Sequence, residues 1–139
     1  MKITICGSVK FIKQMDSAKS FLESRGHAVL LPISAEQDQD TAWWNKLKLE
    51  DMRKFISLKS ERIKAHFPKI KSSDAILVLN YDKDGKQGYI GPNTLMEIAI
   101  AFEHGKRIYI LNDLPDDSLY EEVISMLPVC LNGDLEKLQ

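Results

Sequence analysis

Residues 74–111, DAILVLNYDKDGKQGYIGPNTLMEIAIAFEHGKRIYIL, decide the fold because they contain a complete strand–loop–helix–strand unit. The run 74–80 is almost continuously apolar, which is typical of a parallel strand buried on both faces. A polar, glycine-rich loop over 81–92 leads into helical spacing over 93–104, and 107–112 has the composition of the next strand. A helix that joins two successive strands in this way predicts a parallel pair in an α/β sheet.

The flanking sequence repeats the same alternation of strand-like and helix-like segments. We therefore predict one domain over residues 1–139: a three-layer, flavodoxin-like or Rossmann-like open sheet of about five parallel strands with helices on both faces. The remaining predicted strands are 2–6, 27–32 and 128–131, and the remaining predicted helices are 11–25, 41–67 and 116–127. We expect residues 34–40 to form an acidic loop. The long helix should break near Ser57–Ser60 and not continue through Pro68.

Composition argues against several functional classes. The 139 residues carry 19 basic and 20 acidic side chains, so a net charge of −1 provides no general attraction to nucleic acid or a membrane. Cys6 and Cys130 lie in apolar runs and are expected to be buried and reduced, and the three histidines are scattered, so we expect no metal site. No apolar run approaches the ~20 residues that cross a bilayer. We expect a cytoplasmic protein.

Ligands of open parallel sheets bind beyond the carboxyl ends of the strands. Three predicted loops lie at that edge, over residues 6–10, 32–40 and 80–94. In the first, Gly7 and Ser8 could offer backbone N–H groups to an anion, or Ser8 could simply cap the helix that follows. No phosphate-loop or dinucleotide fingerprint is present.

A basic segment over residues 46–71 contains nine lysines and arginines against three acids. Such a segment usually forms a solvated helix face. Alternatively, one or two of its cations, together with His66, could bind a phosphate. Trp43 and Trp44 are expected in the core or at a subunit interface.

Glu97 supports two interpretations. With Thr94 as the N-cap, Glu97 would occupy the third helical position of a capping box and bond back to the Thr94 amide. Alternatively, a carboxylate in the first turn of a helix is stabilised as an anion, so Glu97 would be ionised at pH 7 and able to attack an electrophilic sugar carbon.

Three segments together resemble the nucleoside 2-deoxyribosyltransferase-like superfamily, which includes the 2′-deoxynucleoside 5′-monophosphate N-glycosidases. They are ICGS at 5–8, SDAILV at 73–78 and NTLMEIAIAFEHGK at 93–106. The resemblance implies that Glu97 is the nucleophile on the anomeric carbon and that no metal or other cofactor is needed. It implies substrate contacts from Cys6, Gly7, Ser8, Asp74, Asp82, Tyr89, Gly91, Asn93 and Thr94.

The chain departs from the family pattern Asp-x-Gly-Thr-x-x-Glu-x-Gly at three positions. Gly91, Asn93 and Ala99 stand where that pattern has Asp, Gly and Gly. The acid that assists the departing base therefore has no direct counterpart, and Asp82, Asp84 and Tyr89 are candidates for it.

We accordingly expect cleavage or transfer at the N-glycosidic bond of a nucleoside or nucleoside 5′-monophosphate. The alternative is a non-catalytic nucleotide-binding sensor in which Glu97 caps its helix and contacts a ribose hydroxyl. In both cases the partner is a small nucleoside or nucleotide. Because relatives complete their sites across a subunit interface, the resemblance also implies a homo-oligomer.

Overall fold

The computed structural model describes residues 1–139 as a five-stranded parallel sheet in the order β2-β1-β3-β4-β5. This confirms the predicted α/β fold class and the number of strands. Short 3-10 turns at Val9–Phe11 and Leu135–Lys137 supplement the main elements. These are β1 (Lys2–Gly7), α1 (Ile12–Ser24), β2 (Ala28–Leu30), α2 (Ile33–Glu36), α3 (Thr41–Glu50), α4 (Met52–Ser72), β3 (Ala75–Leu79), α5 (Pro92–Glu103), β4 (Arg107–Ile110), α6 (Tyr120–Ser125) and β5 (Val129–Cys130).

The period of two along each strand divides the core into two layers. In β1, Ile3 and Ile5 point into a layer that contains α1, whereas Cys6 points into a layer that contains α4, α5 and α6. Every residue of β3 is buried, as expected for the central strand of a sheet that is covered on both faces. The side chain of Cys6 therefore faces α4 and α5, which provide the other residues of the candidate site.

The long helical region differs from expectation in two ways. It breaks at Asp51, not near Ser57–Ser60, because Asp51 adopts an extended conformation and its carboxylate accepts the Lys54 amide as an N-cap. It also continues through Pro68 to Ser72. The cost of the lost backbone bond is offset by the core packing of Ile70, which is fully buried beyond the proline.

Two further differences from expectation concern α2 and α3, the helices that follow β2. Residues 33–36 form the short helix α2 inside the expected acidic loop. None of the residues of α3 is buried, and its main contact is α4. α3 is thus an arm beside the sheet and contributes little to the core. None of the helices has both the length and the hydropathy needed to cross a membrane.

Candidate active site

The candidate site lies where β1 and β3 end side by side. The sheet order reverses between these two strands, so their outgoing loops diverge and leave a crevice. Gly7 closes β1 at this point, and a Cβ at this position would lie 3.0 Å from the carbonyl oxygen of Leu79. Glycine at position 7 therefore lets the two strands approach closely. Ser8 then caps the following 3-10 turn, because its Oγ accepts the Lys10 amide.

The glycine-rich loop 81–91 has defined internal contacts. The amide of Tyr89 donates to the Tyr81 carbonyl at 3.1 Å, and Lys83 and Lys86 pair through their backbones. At its start, Lys83 Nζ donates to Ser8 Oγ at 3.2 Å and also lies 4.7 Å from the centre of the Tyr89 ring. The loop thus connects the end of β1 to the start of α5.

The predicted capping box is wrong. α5 begins at Pro92 with Gly91 as its N-cap, so Thr94 lies inside the helix and Glu97 lies in its second turn. Proline at the first helical position fits because this position needs no amide hydrogen. Since Glu97 is not a capping residue, its carboxyl group is free to make tertiary contacts. It points into the layer between α4, α5 and β1, where it is 3% exposed.

We call Cys6, His66 and Glu97 the floor cluster. His66 Nε2 lies 3.6 Å from Cys6 Sγ and 3.5 Å from Glu97 Oε2, and all three side chains are buried. The same nitrogen lies 3.1 Å from the carbonyl oxygen of Ile5. Because a carbonyl oxygen can only accept, this distance identifies Nε2 as the protonated ring nitrogen. The other nitrogen, Nδ1, is buried and has no hydrogen-bond partner within the protein.

The three groups of the floor cluster are neutral near pH 7. Burial raises the pKa of Glu97 to about 8, and the Cys6 thiol only partly opposes this shift. Burial, together with the charge of Lys69, lowers the pKa of His66 to about 4. Burial first, and Glu97 second, raise the pKa of the Cys6 thiol well above its usual value. The expectation that Glu97 is ionised at pH 7 is therefore corrected, and the His66–Glu97 contact is not an ion pair.

A cavity of about 360 Å³ lies beside the floor cluster. Gly7, Ile63 and Thr94 line it, and each is one residue or one helical turn from a member of the cluster. Tyr89, Gly91 and Asn93 line it as well. The volume is at the lower end of the range of small-molecule sites. The cavity and the floor cluster are thus adjacent, but Cys6, His66 and Glu97 do not line the cavity.

Four cations line this cavity and no acidic residue does. We call them the rim cations: Lys48 of α3, Lys59 and Arg62 of α4, and Lys83 of the glycine loop. Three of them come from the basic segment, which confirms that part of this segment faces a cavity and not only solvent. His66, by contrast, is a neutral core residue and cannot be the cation that was considered for a phosphate. A cavity with this charge favours an anionic ligand.

Three polar atoms in the cavity wall are buried and have no hydrogen-bond partner within the protein. Trp44 Nε1 is a donor, Asn93 Oδ1 is an acceptor, and the hydroxyl of Thr41 can act as either. Thr41 and Trp44 lie on the face of α3 that lines the cavity, one turn apart. Buried polar atoms without partners are rare in proteins, and here they cluster at one cavity.

Three predicted substrate contacts do not line the cavity: Cys6 is fully buried in the floor cluster, and Asp74 and Asp82 lie elsewhere. Asp74 precedes β3 and therefore lies at the amino ends of the strands, opposite the cavity. There its carboxylate accepts the Lys2 amide at 2.7 Å. The full length of β3 separates it from the cavity. Asp82 turns away from the cavity, accepts the Gly88 amide at 3.1 Å and lines a separate cleft near Asp113. Asp74 therefore holds strand ends together, and Asp82 shapes the loop.

The structure also explains the missing loop aspartate. A Cβ added at Gly91 would lie 2.9 Å from the hydroxyl oxygen of Tyr89. The Tyr89 hydroxyl thus occupies the space into which a side chain at position 91 would project. Among the three candidates for the acid, Tyr89 is the one that lines the cavity.

Sequence reasoning missed Trp44, Thr41 and Lys83 as cavity residues. Trp44 was assigned to the core or an interface because tryptophan spacing alone does not show which surface it faces. The signal that could have found it is the repeat Thr41, Trp44, Asn45, Lys48, which places one face of α3 beside the basic face of α4.

Comparison with known proteins shows the fold. No protein-family model and no curated protein matches the sequence. Among solved structures, the chain is similar to a 2-deoxyribosyltransferase from the psychrotolerant bacterium Bacillus psychrosaccharolyticus, with a TM-score of 0.57 and 18% identity over 99% of this chain and 96% of that chain. It is also similar to the CMP N-glycosidase BcmB of Clostridium botulinum, with a TM-score of 0.51 and 16% identity over 95% and 90% of the two chains.

At these identities the likeness shows a shared fold over almost the whole chain. The fold implied by the resemblance to the nucleoside 2-deoxyribosyltransferase-like superfamily is therefore confirmed. Both similar structures are enzymes by name, one a transferase and one a glycosidase.

Proposed function

We propose that the protein cleaves or transfers the N-glycosidic bond of a nucleoside 5′-monophosphate, with Glu97 as the nucleophile. The observation that carries this proposal is a carboxyl group held next to a cavity lined by four cations at the switch point of the sheet. A CMP N-glycosidase and a deoxyribosyltransferase with the same fold support the reaction class. We place the protein, on the same grounds, in the superfamily that its motifs resemble.

The charge of the cavity favours a phosphorylated substrate over a free nucleoside. A nucleoside is neutral and would leave the rim cations without an anionic partner. A 5′-phosphate would give them one, and it would add the strong acceptor oxygens that Lys and Arg bind best. The Ser8 hydroxyl, already bonded to Lys83, would join them at the end of β1.

The reaction needs the ionised form of Glu97. Its carboxylate forms a bond to C1′ while the bond from C1′ to the base nitrogen breaks, and the electron pair of that bond leaves with the base. Water, or a second base, then attacks C1′ and releases the Glu97 carboxylate. With a pKa of about 8, about a tenth of the molecules are ionised at pH 7.

We assign the proton that the departing base needs to Tyr89. Its hydroxyl lies on the cavity wall in the space next to Gly91. A phenol can donate a proton as the base leaves and recover one from the incoming water. Replacement of Tyr89 by Phe should therefore slow poor leaving groups much more than good ones.

One observation favours the alternative of a nucleotide sensor without catalysis. Glu97 is neutral and 3% exposed, so in this conformation no ligand can touch it from the cavity. Catalysis requires Thr94 and its neighbours to shift when substrate binds. A sensor requires no such shift, because the cavity and the rim cations suffice to hold a nucleotide.

A direct assay distinguishes the two functions. The protein is incubated separately with each deoxynucleoside and ribonucleoside 5′-monophosphate and with the free nucleosides, and released base is measured by chromatography. We expect free base from at least one monophosphate and a slower reaction with its nucleoside. Failure of every compound to release base, together with a nucleotide-dependent rise in melting temperature, would establish the sensor instead.

We also propose that the protein self-associates and resides in the cytoplasm. Large apolar side chains are exposed on the outer faces of α3, α4 and α5, including Leu49, Ile56, Met96 and Phe102. Contiguous apolar patches mark protein interfaces, and self-association would remove these side chains from water. Sedimentation velocity across a concentration series tests self-association: a monomer at all concentrations would contradict it.

The cysteines support the proposed location in the cytoplasm. Both are free, which fits a reducing compartment.

A further inference from the structure

The floor cluster has the composition and the geometry of a transition-metal site. A thiol, an imidazole and a carboxyl group from β1, α4 and α5 place one ligand atom each within 4.8 Å of the others. These are the three ligand types that Zn²⁺ prefers in proteins. Because the residues lie at positions 6, 66 and 97, no short sequence spacing reveals the site.

Two of the three distances between ligand atoms agree with tetrahedral coordination, and the third, between Cys6 Sγ and the Glu97 carboxylate, is within 4.8 Å. Zinc bonds of ~2.3 Å to sulfur and ~2.0–2.2 Å to nitrogen or oxygen, at tetrahedral angles, separate the ligand atoms by roughly 3.3–3.6 Å. In the structure, His66 Nε2 lies 3.6 Å from Cys6 Sγ and 3.5 Å from Glu97 Oε2. The Ile5 carbonyl oxygen accepts the proton of the same nitrogen at 3.1 Å, so an ion bound to Nε2 would take the place of that proton and displace this hydrogen bond.

The charge balance also fits. A thiolate, a carboxylate and a neutral imidazole around Zn²⁺ sum to zero, so the loaded site would be neutral in a buried setting. To bind the metal, His66 must shift its ring proton from Nε2 to Nδ1, which is free to receive it because it has no partner. Lys69, the charged group that faces His66 from its own helix, is bonded to the Leu31 carbonyl and Glu36 and does not occupy the site.

We propose that Cys6, His66 and Glu97 bind a single Zn²⁺ ion, or a similar soft divalent ion, and that this ion holds the protein in an inactive state. Its binding would engage the carboxylate that the proposed reaction needs. The inhibitory consequence rests on the proposed function, but the metal site itself does not. Free zinc would then act as a competitor for the nucleophile.

The site is tested by titrating chelator-treated protein with Co²⁺ in the absence of nucleotide. We expect one equivalent to produce a thiolate-to-cobalt charge-transfer band and the intense visible bands of tetrahedral cobalt, and Zn²⁺ to displace both. Cys6→Ser should abolish the charge-transfer band, and His66→Gln should weaken binding at least about 100-fold, the upper end of what loss of an outer-shell partner costs. Cys130→Ser, which alters the other thiol, is the matched control and should leave the spectrum unchanged.

Two results would overturn the proposal: the absence of a charge-transfer band in folded wild-type protein, or a band that Cys130→Ser removes and Cys6→Ser does not. Melting curves of the variants establish that they are folded. Because the titration contains no substrate, a protein that binds cobalt but cleaves no nucleotide would refute the proposed function alone. A protein that cleaves nucleotides and shows no cobalt band would refute the metal site alone.

Discussion

The floor cluster and the rim cations are adjacent but differ in almost every physical property. The floor is buried, neutral and built from the end of β1 and the buried faces of α4 and α5, where the core fixes its geometry. The rim is positively charged and is carried by α3, the outer face of α4 and the glycine loop. The two regions can therefore have different roles. The rim can attract an anion while Glu97 stays protonated, and the buried floor can keep this carboxyl group neutral before the reaction.

Replacing Glu97 by Gln should have the largest effect, since it removes the nucleophile and little else. We expect kcat to fall by at least about 10³-fold, because loss of an attacking residue can cost up to ~10⁶-fold. Stability should change little below about pH 4.5, because Gln has nearly the same shape as the protonated acid, and above that pH the variant should be the more stable protein, because the unfolded wild type ionises at Glu97. The rate of base release and a urea unfolding curve measure the two effects.

The matched control is Glu103→Gln, an exposed acid at the end of the same helix. It should retain wild-type activity. If Glu97→Gln remains active while its melting curve is normal, the floor is not the reacting centre.

The next effect follows from the neutral state of the floor. With the pKa of Glu97 near 8, the ionised fraction in the free protein rises about 25-fold between pH 6.5 and 8.5. Above pH 6.5 the substrate phosphate is mostly ionised, so kcat/KM should rise with pH by a similar factor. The profile is recorded with a chelator present. A flat profile across this range would show that Glu97 enters the reaction already ionised.

The stability of the protein should fall as pH rises, whereas its activity should increase. An acid whose pKa is raised by folding stabilises the protein below its unfolded pKa and loses that contribution as pH rises to its folded pKa. For Glu97 the loss extends from about pH 4.5 to about pH 8, and His66, with its pKa lowered to about 4, offsets it up to about pH 6.5. Cys6 and Lys69 are the other titratable groups that face this pair.

The net result is a loss on the order of 1–2 kcal/mol in the free energy of unfolding between pH 6.5 and 8. Urea unfolding at the two pH values measures it. In Glu97→Gln the loss should disappear. A wild-type protein that is equally stable at both values would mean that Glu97 is already charged in the folded state.

A single rim cation should affect binding and not the chemical step. We expect Lys59→Met, which retains the apolar stem over Phe55, to raise KM for the monophosphate about 10-fold, equivalent to ~1.4 kcal/mol, with kcat nearly unchanged. Cleavage of the free nucleoside should not respond. Lys54→Met, on the same helix but outside the cavity, serves as the control. Equal loss for nucleoside and nucleotide would show that the rim does not bind phosphate.

The two regions also differ in how far the sequence predicts them. The sheet was predictable because the apolar run 74–80 and its neighbours have periods that only a parallel α/β arrangement satisfies. Glu97 was found through its motif, but its neutral state was not, since that depends on Cys6 and His66, which are distant in sequence. Gln37 and Gln39, which accept from Arg62 near the rim, likewise gave no sequence signal.

Asp51 and Asp74 are two further positions where local sequence patterns did not lead to the observed role. Asp51 is a helix cap that propensity alone could have suggested, but the serines at 57 and 60 were equally plausible breakers until tertiary packing decided between them. Asp74 matched a family position, yet it opens β3 and therefore lies at the end of that strand opposite the cavity.

The smallest effect concerns a hydrogen-bond donor in the cavity wall, on the rim side. Trp44 Nε1 is a buried donor without a partner, so a substrate acceptor that reaches it would gain a hydrogen bond. Trp44→Phe removes this donor and keeps most of the aromatic surface. We expect KM to rise about 2- to 10-fold for nucleotides whose base has an acceptor at that position, in line with ~0.5–1.5 kcal/mol for one hydrogen bond. Bases without that acceptor should be unaffected, so the ratio of KM values across the bases is the measurement. A uniform rise for all bases would mean that Trp44 contributes only surface area, and base recognition would then have to come from Asn93 across the cavity.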